Sequence, residues 1–257
     1  MSELRWEVSN QTAFITIARP PANALCRSLL ENLDSVLTEI EKDPEVNVVI
    51  LHGEGKFFAA GADIKEFTEV ESGEAFAKLA SDGHALLQRI ETFPKPIIAA
   101  LHGAALGGGL ELAMSCHIRI AAEGTKLGLP ELNLGLIPGY AGTQRLPQLV
   151  GRAKAAEMML TSDPITAEDA KAWGLVNQVV AEDELLQTSE AMAAKIAAKS
   201  QVTTAMVTEL LAYAAVGDFE SGSDREAELF GRAFASEDGK EGIQAFLEKR
   251  APEFQNK

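Results

Sequence analysis

The chain has 257 residues, 46% hydrophobic and 24% charged, the make-up of a globular protein with a large core. Its 38 acids against 23 Lys and Arg leave a formal net charge of −15, which argues against nucleic acid or an anionic membrane as the main partner. The two cysteines, Cys26 and Cys116, are too few for a disulfide framework or a thiolate metal site, and the four histidines form no ligand pair with metal-site spacing.

Residues 4–8 and 12–18 alternate apolar and polar around Ser9-Asn10-Gln11, which predicts a hairpin. Arg19-Pro20-Pro21-Ala22-Asn23-Ala24-Leu25 is an extended loop, because two prolines forbid helix and central strand. Leu29, Leu30, Leu33, Val36, Leu37 and Ile40 recur at helical spacing until Asp43-Pro44, and residues 46–51 form a buried strand. Small residues around Gly61 then suggest backbone exposed to a ligand, with a helix beginning near Asp63. The same pattern fits a tight strand-to-helix turn. A long helix spans 73–92, and Phe93-Pro94-Lys95-Pro96 breaks it.

The central stretch comes next. Residues 96–101 form a strand with apolar neighbours on both faces, followed by Gly107-Gly108-Gly109 and a helix carrying Glu111 in its first turn. A helix N-terminus presents unpaired N–H groups and a partial positive charge, suited to a phosphate or to an oxygen that becomes negative during a reaction. Acids favour first helical turns for dipole reasons alone, so the stretch needs a second constellation before it reads as a site.

Residues 117–122 form a strand. The loop from Leu127 to Gly142 is rich in Gly and Pro yet unusually apolar, and with its one acid, Glu131, it fits either a pocket wall or a solvated proline turn. Helix follows over 143–160 with a break at Gly151, then helix from Thr166 to Trp173-Gly174 and a strand over 175–180. From residue 182 onward only helical patterns occur, over 185–198, 202–215, 226–234 and 242–250. The division expected is an α/β core over residues 1–181 and a helical C-terminal region over 182–257. No secretory or transit pattern and no membrane-length apolar run is present, which predicts a cytoplasmic protein.

The two glycine turns can each aim a backbone N–H at one point, which would make an oxyanion hole. Glu111 and Glu131 lie on apolar, pocket-like segments, where burial raises a carboxyl pKa and suits it to proton transfer near neutrality. Two donors for a carbonyl oxygen and two carboxyls imply addition or removal of water, or a double-bond shift, beside an activated carbonyl. No Ser, Cys or His stands out as a nucleophile with its base.

The residues that carry this reading, together with Arg19 to Leu25, Phe58-Ala59-Ala60-Gly61-Ala62-Asp63-Ile64-Lys65-Glu66, Pro138-Gly139-Tyr140-Ala141-Gly142-Thr143-Gln144-Arg145 and the ending Gly242-Ile243-Gln244-Ala245-Phe246-Leu247-Glu248-Lys249-Arg250, resemble the enoyl-CoA hydratase/isomerase (crotonase) family, closest to short-chain enoyl-CoA hydratases. The resemblance spans nearly the whole chain. It implies an α/β fold, a spiral of repeated ββα units with a helical C-terminal trimerisation part, assembled as a trimer or dimer of trimers. It implies an enzyme that adds water across the C2=C3 bond of trans-2-enoyl-CoA in fatty acid β-oxidation; an enoyl-CoA isomerase or another acyl-CoA enzyme of the family is the alternative. It places the oxyanion donors on the N–H groups of Ala62 and Gly108, and the catalytic acids on Glu111 and Glu131. Ala60, Asp63, Ile64 and Gly139 fall in the substrate and CoA path. Lys249 matches a lysine that approaches the CoA phosphate, often from a neighbouring subunit. No cofactor or metal is implied beyond the CoA of the substrate. The short Arg19-Pro20-Pro21 loop and Ala141, where many members have glycine, depart from the pattern and bear on the acyl pocket. A dinucleotide-binding dehydrogenase is disfavoured because Gly107-Gly108-Gly109 is not G-x-G-x-x-G, and an RNA-binding member of the fold by the net charge.

Overall fold

The structure, a computed structural model, describes residues 3–257. The chain opens with the hairpin β1 (Leu4–Ser9) and β2 (Thr12–Ile17), which pair antiparallel. Helix α1 (Arg27–Lys42) buries Leu29, Leu30, Leu33, Leu37 and Ile40 along one stripe, as its spacing predicts. β3 (Val48–Gly53), the short α2 (Ile64–Phe67) and α3 (Gly73–Glu91) lead to β4 (Ile97–Leu101), β5 (Ala104–Leu106) and α4 (Gly108–Ser115). β6 (Ile118–Ala122), β7 (Lys126–Gly128), α5 (Gly142–Val150), α6 (Arg152–Thr161), β8 (Ile165–Thr166), α7 (Ala167–Ala172) and β9 (Gln178–Val180) complete the strand-bearing part. Helices α8 (Leu185–Ala197), α9 (Gln201–Val216), α10 (Phe219–Ala235) and α11 (Glu237–Glu248) follow.

Two sheets organise these elements. The larger runs β1-β2-β3-β4-β6-β9 and is parallel from β2 onward; the smaller is β5-β7-β8. Single bridges from Leu25 to Ala62 and from Ala59 to Ala105 continue the smaller sheet into earlier loops. One repeated unit results: a strand of the large sheet, a short extended segment of the small sheet, then a helix. β2, Leu25 and α1 form one turn; β3, Ala59 to Ala62 and α2–α3 the next; β4, β5 and α4 the third; and β6, β7 and α5 the fourth. This is the spiral of ββα units that the family resemblance implies. The middle of the large sheet is buried on both faces, and its central strand β4 is continuously apolar.

Part of the helical region expected from residue 182 packs on the α/β core. Leu185, Ala193 and Ala197 of α8 are buried against Val48, Ile50, Ile98, Ala100 and Ile120, covering the second face of the large sheet. Buried Asn47 donates to Ala197 O at 3.1 Å, tying the end of α8 to the β3 strand. The helical part therefore begins at residue 182, but its first helix belongs to the core, and only α9 to α11 stand outside it. Those three helices leave large apolar side chains on the surface, among them Val207, Phe219 at 86% exposure, Phe230 and Phe246 at 82%.

Candidate active site

The pairing of Ala59 with Ala105 sets the register that builds the site. Counting three residues on from each partner reaches Ala62 and Gly108, so successive turns of the spiral bring equivalent backbone positions side by side. A Cβ built on Gly108 would lie 3.6 Å from Ala62 N. The direction of the Ala62 N–H follows from its neighbours. Gly61 O accepts from Leu25 N, and Asp63 N donates to Leu25 O, both at 2.8 Å. Backbone groups alternate along an extended segment, so the Ala62 N–H faces away from Leu25. Gly108 is the first helical residue of α4, whose N–H has no intrahelical acceptor. Neither N–H donates to a backbone or side-chain acceptor among the described residues. The approach depends on glycine at Gly107, which holds φ 51° and ψ −128°, a conformation closed to most L side chains.

Both N–H groups border a cavity of 340 Å³. Every residue of α4 is buried, and Glu111 is only 1% exposed. Its Oε1 accepts from the backbone N–H groups of Tyr140 (2.8 Å) and Gly142 (2.7 Å), while the carboxyl group also lines the cavity. Burial, with a further push from the neighbouring Glu131 carboxylate, outweighs those two donors and raises Glu111 from 4.5 to about 7. Glu131 opens a 3₁₀ turn, Glu131–Leu134, and also lines the cavity. Its burial also raises its pKa, and its Oε2 is buried without a hydrogen-bond partner among the described residues. A buried carboxyl oxygen left unpaired by the protein is uncommon, and here it borders the cavity.

The apolar loop between β7 and α5 is a pocket wall: Pro130, Leu134, Leu136, Ile137, Gly139 and Tyr140 line the cavity. The loop is held from behind by Arg145, whose Nη1 donates to Tyr140 O at 2.8 Å while its Nη2 pairs with Glu91 at 3.0 Å. Ala141 takes the left-handed conformation at φ 66° and caps α5, which explains why glycine is also compatible with that position.

Of the sequence-predicted residues, Ala60, Ala62, Ile64, Gly108, Glu111, Glu131 and Gly139 converge on this cavity. Asp63 does not. Its carboxylate caps α2 by accepting from Lys65 N and pairs with Arg19 at 2.5 Å, which holds its pKa below the usual value. The Arg19 loop thus anchors the turn that presents Ala62. Lys249 also lies away from the cavity, exposed at the C-terminus of α11. Four lining residues escaped the sequence reading: Phe67 at the end of α2, and Phe76, Leu79 and Ala80 on α3. The 3–4 spacing of Phe76, Leu79 and Ala80 was visible, but periodicity alone does not separate a helix stripe facing a cavity from one facing the core.

The enoyl-CoA hydratase/isomerase family model matches residues 7–257. A probable enoyl-CoA hydratase of Bacillus subtilis is 56% identical over 99% of both chains. A short-chain-enoyl-CoA hydratase of Clostridium acetobutylicum is 42% identical over 98% of this chain and 97% of that one. The crystal structure of an enoyl-CoA hydratase from Bacillus anthracis superposes with a TM-score of 0.94 at 36% identity, covering both chains fully. By its sequence and by its spiral of ββα units alike, this chain belongs to the enoyl-CoA hydratase/isomerase family.

Proposed function

We propose that this chain hydrates trans-2-enoyl-CoA thioesters to 3-hydroxyacyl-CoA. The observation that carries the reading is the convergence of two carboxyl groups with raised pKa, Glu111 and Glu131, on one cavity beside two unpaired backbone N–H groups. The thioester oxygen accepts from Ala62 and Gly108 N–H. These donors gain most when enolate-like charge develops on that oxygen, so they lower the barrier rather than merely tighten binding. Glu111, ionised and pinned through Oε1, takes a proton from water as the water oxygen bonds to C3. Glu131, protonated, gives its proton to C2. Exchange with solvent restores both acids. Ala60, Ile64 and Gly139 line the path of the substrate, and no cofactor beyond the CoA of the substrate enters the chemistry.

Two carboxyls favour hydration over isomerisation, which needs only one group to carry a proton between carbons. Comparing kcat/KM for trans-2-enoyl-CoA and for a 3-enoyl-CoA of the same length decides between them: the first should dominate, and a preference for the second would overturn the reading. Because Glu111 must be ionised to act as base and its pKa lies near 7, kcat/KM should fall as pH drops below about 7. A profile flat from pH 5 to 8 would remove Glu111 from that role.

The reaction is read as one step of fatty acid β-oxidation in the cytoplasm, which the likeness to a bacterial enoyl-CoA hydratase supports. No helix among the described residues is long and apolar enough to cross a membrane. The apolar faces of α9 to α11 pack against other copies of the chain in a trimer or dimer of trimers, and Lys249 reaches the CoA of a neighbour. Deleting residues 200–257 removes those helices and leaves α8 on its sheet. Light scattering should then find the full-length assembly lost. An unchanged oligomer from the shortened chain, or a monomeric full-length protein, would contradict this.

A further inference from the structure

Gly83 sits in the middle of α3, where glycine is among the least favourable residues. The structure gives it a reason. A Cβ built on Gly83 would fall 2.2 Å from Cε1 and 2.4 Å from Cδ1 of Tyr140, so the tyrosine ring is seated directly on the helix backbone. The opposite edge of the same ring, Cδ2 and Cε2, lies 3.3 Å from the Cβ position of Gly108. The ring therefore fills the gap between the turn that presents the Gly108 N–H and helix α3.

On α3, Phe76, Leu79 and Ala80 line the cavity, and Gly83 continues that stripe at helical spacing. Gly83 and Leu79 also border a second groove, of 630 Å³, which runs between α1 and α3 past Leu30 and Leu86. Tyr140 lines the cavity and not the groove, and its ring, on the glycine seat, closes the cavity against α3 at Gly83.

We infer that Tyr140, seated on Gly83, is the wall that limits the acyl chain, so that the substrates are short-chain enoyl-CoA thioesters. This rests on the thioester oxygen lying at Ala62 and Gly108: an acyl tail that runs from there toward α3 meets the ring within a few carbons. Its phenol oxygen makes no hydrogen bond among the described residues, so the ring acts by bulk. Removing it frees the space between Gly108 and Gly83 and gives a longer tail somewhere to go.

Two measurements test this without depending on one another. In the first, binding of butyryl-CoA and dodecanoyl-CoA, which cannot be hydrated, is measured by calorimetry. The parent should favour butyryl-CoA. Tyr140→Ala should raise the dodecanoyl-to-butyryl affinity ratio at least ~10-fold, the scale of a pocket that accepts or refuses methylenes, and Tyr140→Phe should keep the parent's ratio. The same ordering should appear in kcat/KM for the matching 2-enoyl-CoAs. Binding discrimination without hydration would sink the hydratase reading and leave the wall standing. A parent that binds both lengths alike, or a Tyr140→Ala variant that loses both equally, would overturn the wall. The second measurement is thermal. Gly83→Ala should lower the melting temperature of the parent, where the new methyl meets the ring, and raise that of Tyr140→Ala, where it only improves the helix. Stabilisation or destabilisation of the same sign in both backgrounds would show that Gly83 is not the seat.

Discussion

Replacing Gly108 with proline should lower kcat on crotonyl-CoA by ~10²–10³-fold, the usual loss for one oxyanion donor. The position makes the experiment clean. Gly108 is the first residue of α4, where proline is tolerated because the missing N–H has no intrahelical partner and the fixed φ suits the helix. The substitution thus removes the proposed donor while leaving every backbone hydrogen bond of the helix intact. Its ring also approaches Tyr140, a contact that Gly108→Ala reproduces while keeping the N–H, and a further control tests proline at a helix start by itself. Gly73 is the first residue of α3, has no atom within 4 Å of its Cβ position and lies outside the cavity. Gly73→Pro should leave turnover near that of the parent. Gly103, in the turn between β4 and β5, cannot serve: at φ 61° its Cβ would sit 1.8 Å from Lys56 O, and any side chain there disrupts folding. If Gly108→Pro folds and turns over like the parent, the Gly108 N–H is not an oxyanion donor.

Glu111→Gln and Glu131→Gln should each lower kcat by at least ~10²-fold, the scale of a general acid or base. The two differ in what else they do. Glutamine at position 111 still accepts from Tyr140 and Gly142 N–H through its oxygen, so the loop should keep its place. Stability should rise. The folded pKa of Glu111, about 7, lies above its ordinary 4.5, so the folded state retains a proton that the unfolded chain releases. The carboxyl costs nothing below pH 4.5, its cost grows between pH 4.5 and 7, and it is complete above 7, at about 3 kcal/mol from 1.36 kcal/mol per pKa unit. Glu111→Gln should therefore melt several degrees above the parent at pH 8 and level with it at pH 4.5. Activity lost and stability gained in one variant marks a group held in an unfavourable place for its chemistry. A variant that is inactive but also less stable at pH 8 would point to a structural role instead.

The repeating scaffold was legible where elements are long. The stripe from Leu29 to Ile40 in α1 and the apolar run of β4 each buried as their periods required. β5 and β7 were not legible, because three residues such as Ala104 to Leu106 are too few to show a period, and β8 has only two. Yet these fragments, with the bridge at Ala59, hold the register that pairs Ala62 with Gly108. The strand over 175–180 shrinks to three residues, since only Gln178–Val180 reach β6. Helix α10 begins at Phe219, seven residues before its expected start, because Asp218 caps it by accepting from Ser221 N across a stretch of Ser and Gly. The carboxyls and glycine turns were legible as chemistry because each breaks an apolar pattern. Asp63 was not legible as an anchor: only the fold brings Arg19 to it. That α8 belongs to the core was not legible for the same kind of reason, since a helix that covers a sheet and one that stands outside it carry similar patterns.

The measurement that bears most directly on the account is conversion of crotonyl-CoA in ¹⁸O-labelled water. Addition of water to C3, with the thioester oxygen held between Ala62 and Gly108, should give 3-hydroxybutyryl-CoA carrying the label in its hydroxyl group, at a steady-state rate within the common enzyme range of ~1–10³ s⁻¹. Recovery of unlabelled product, migration of the double bond alone, or no conversion by the folded protein would contradict it.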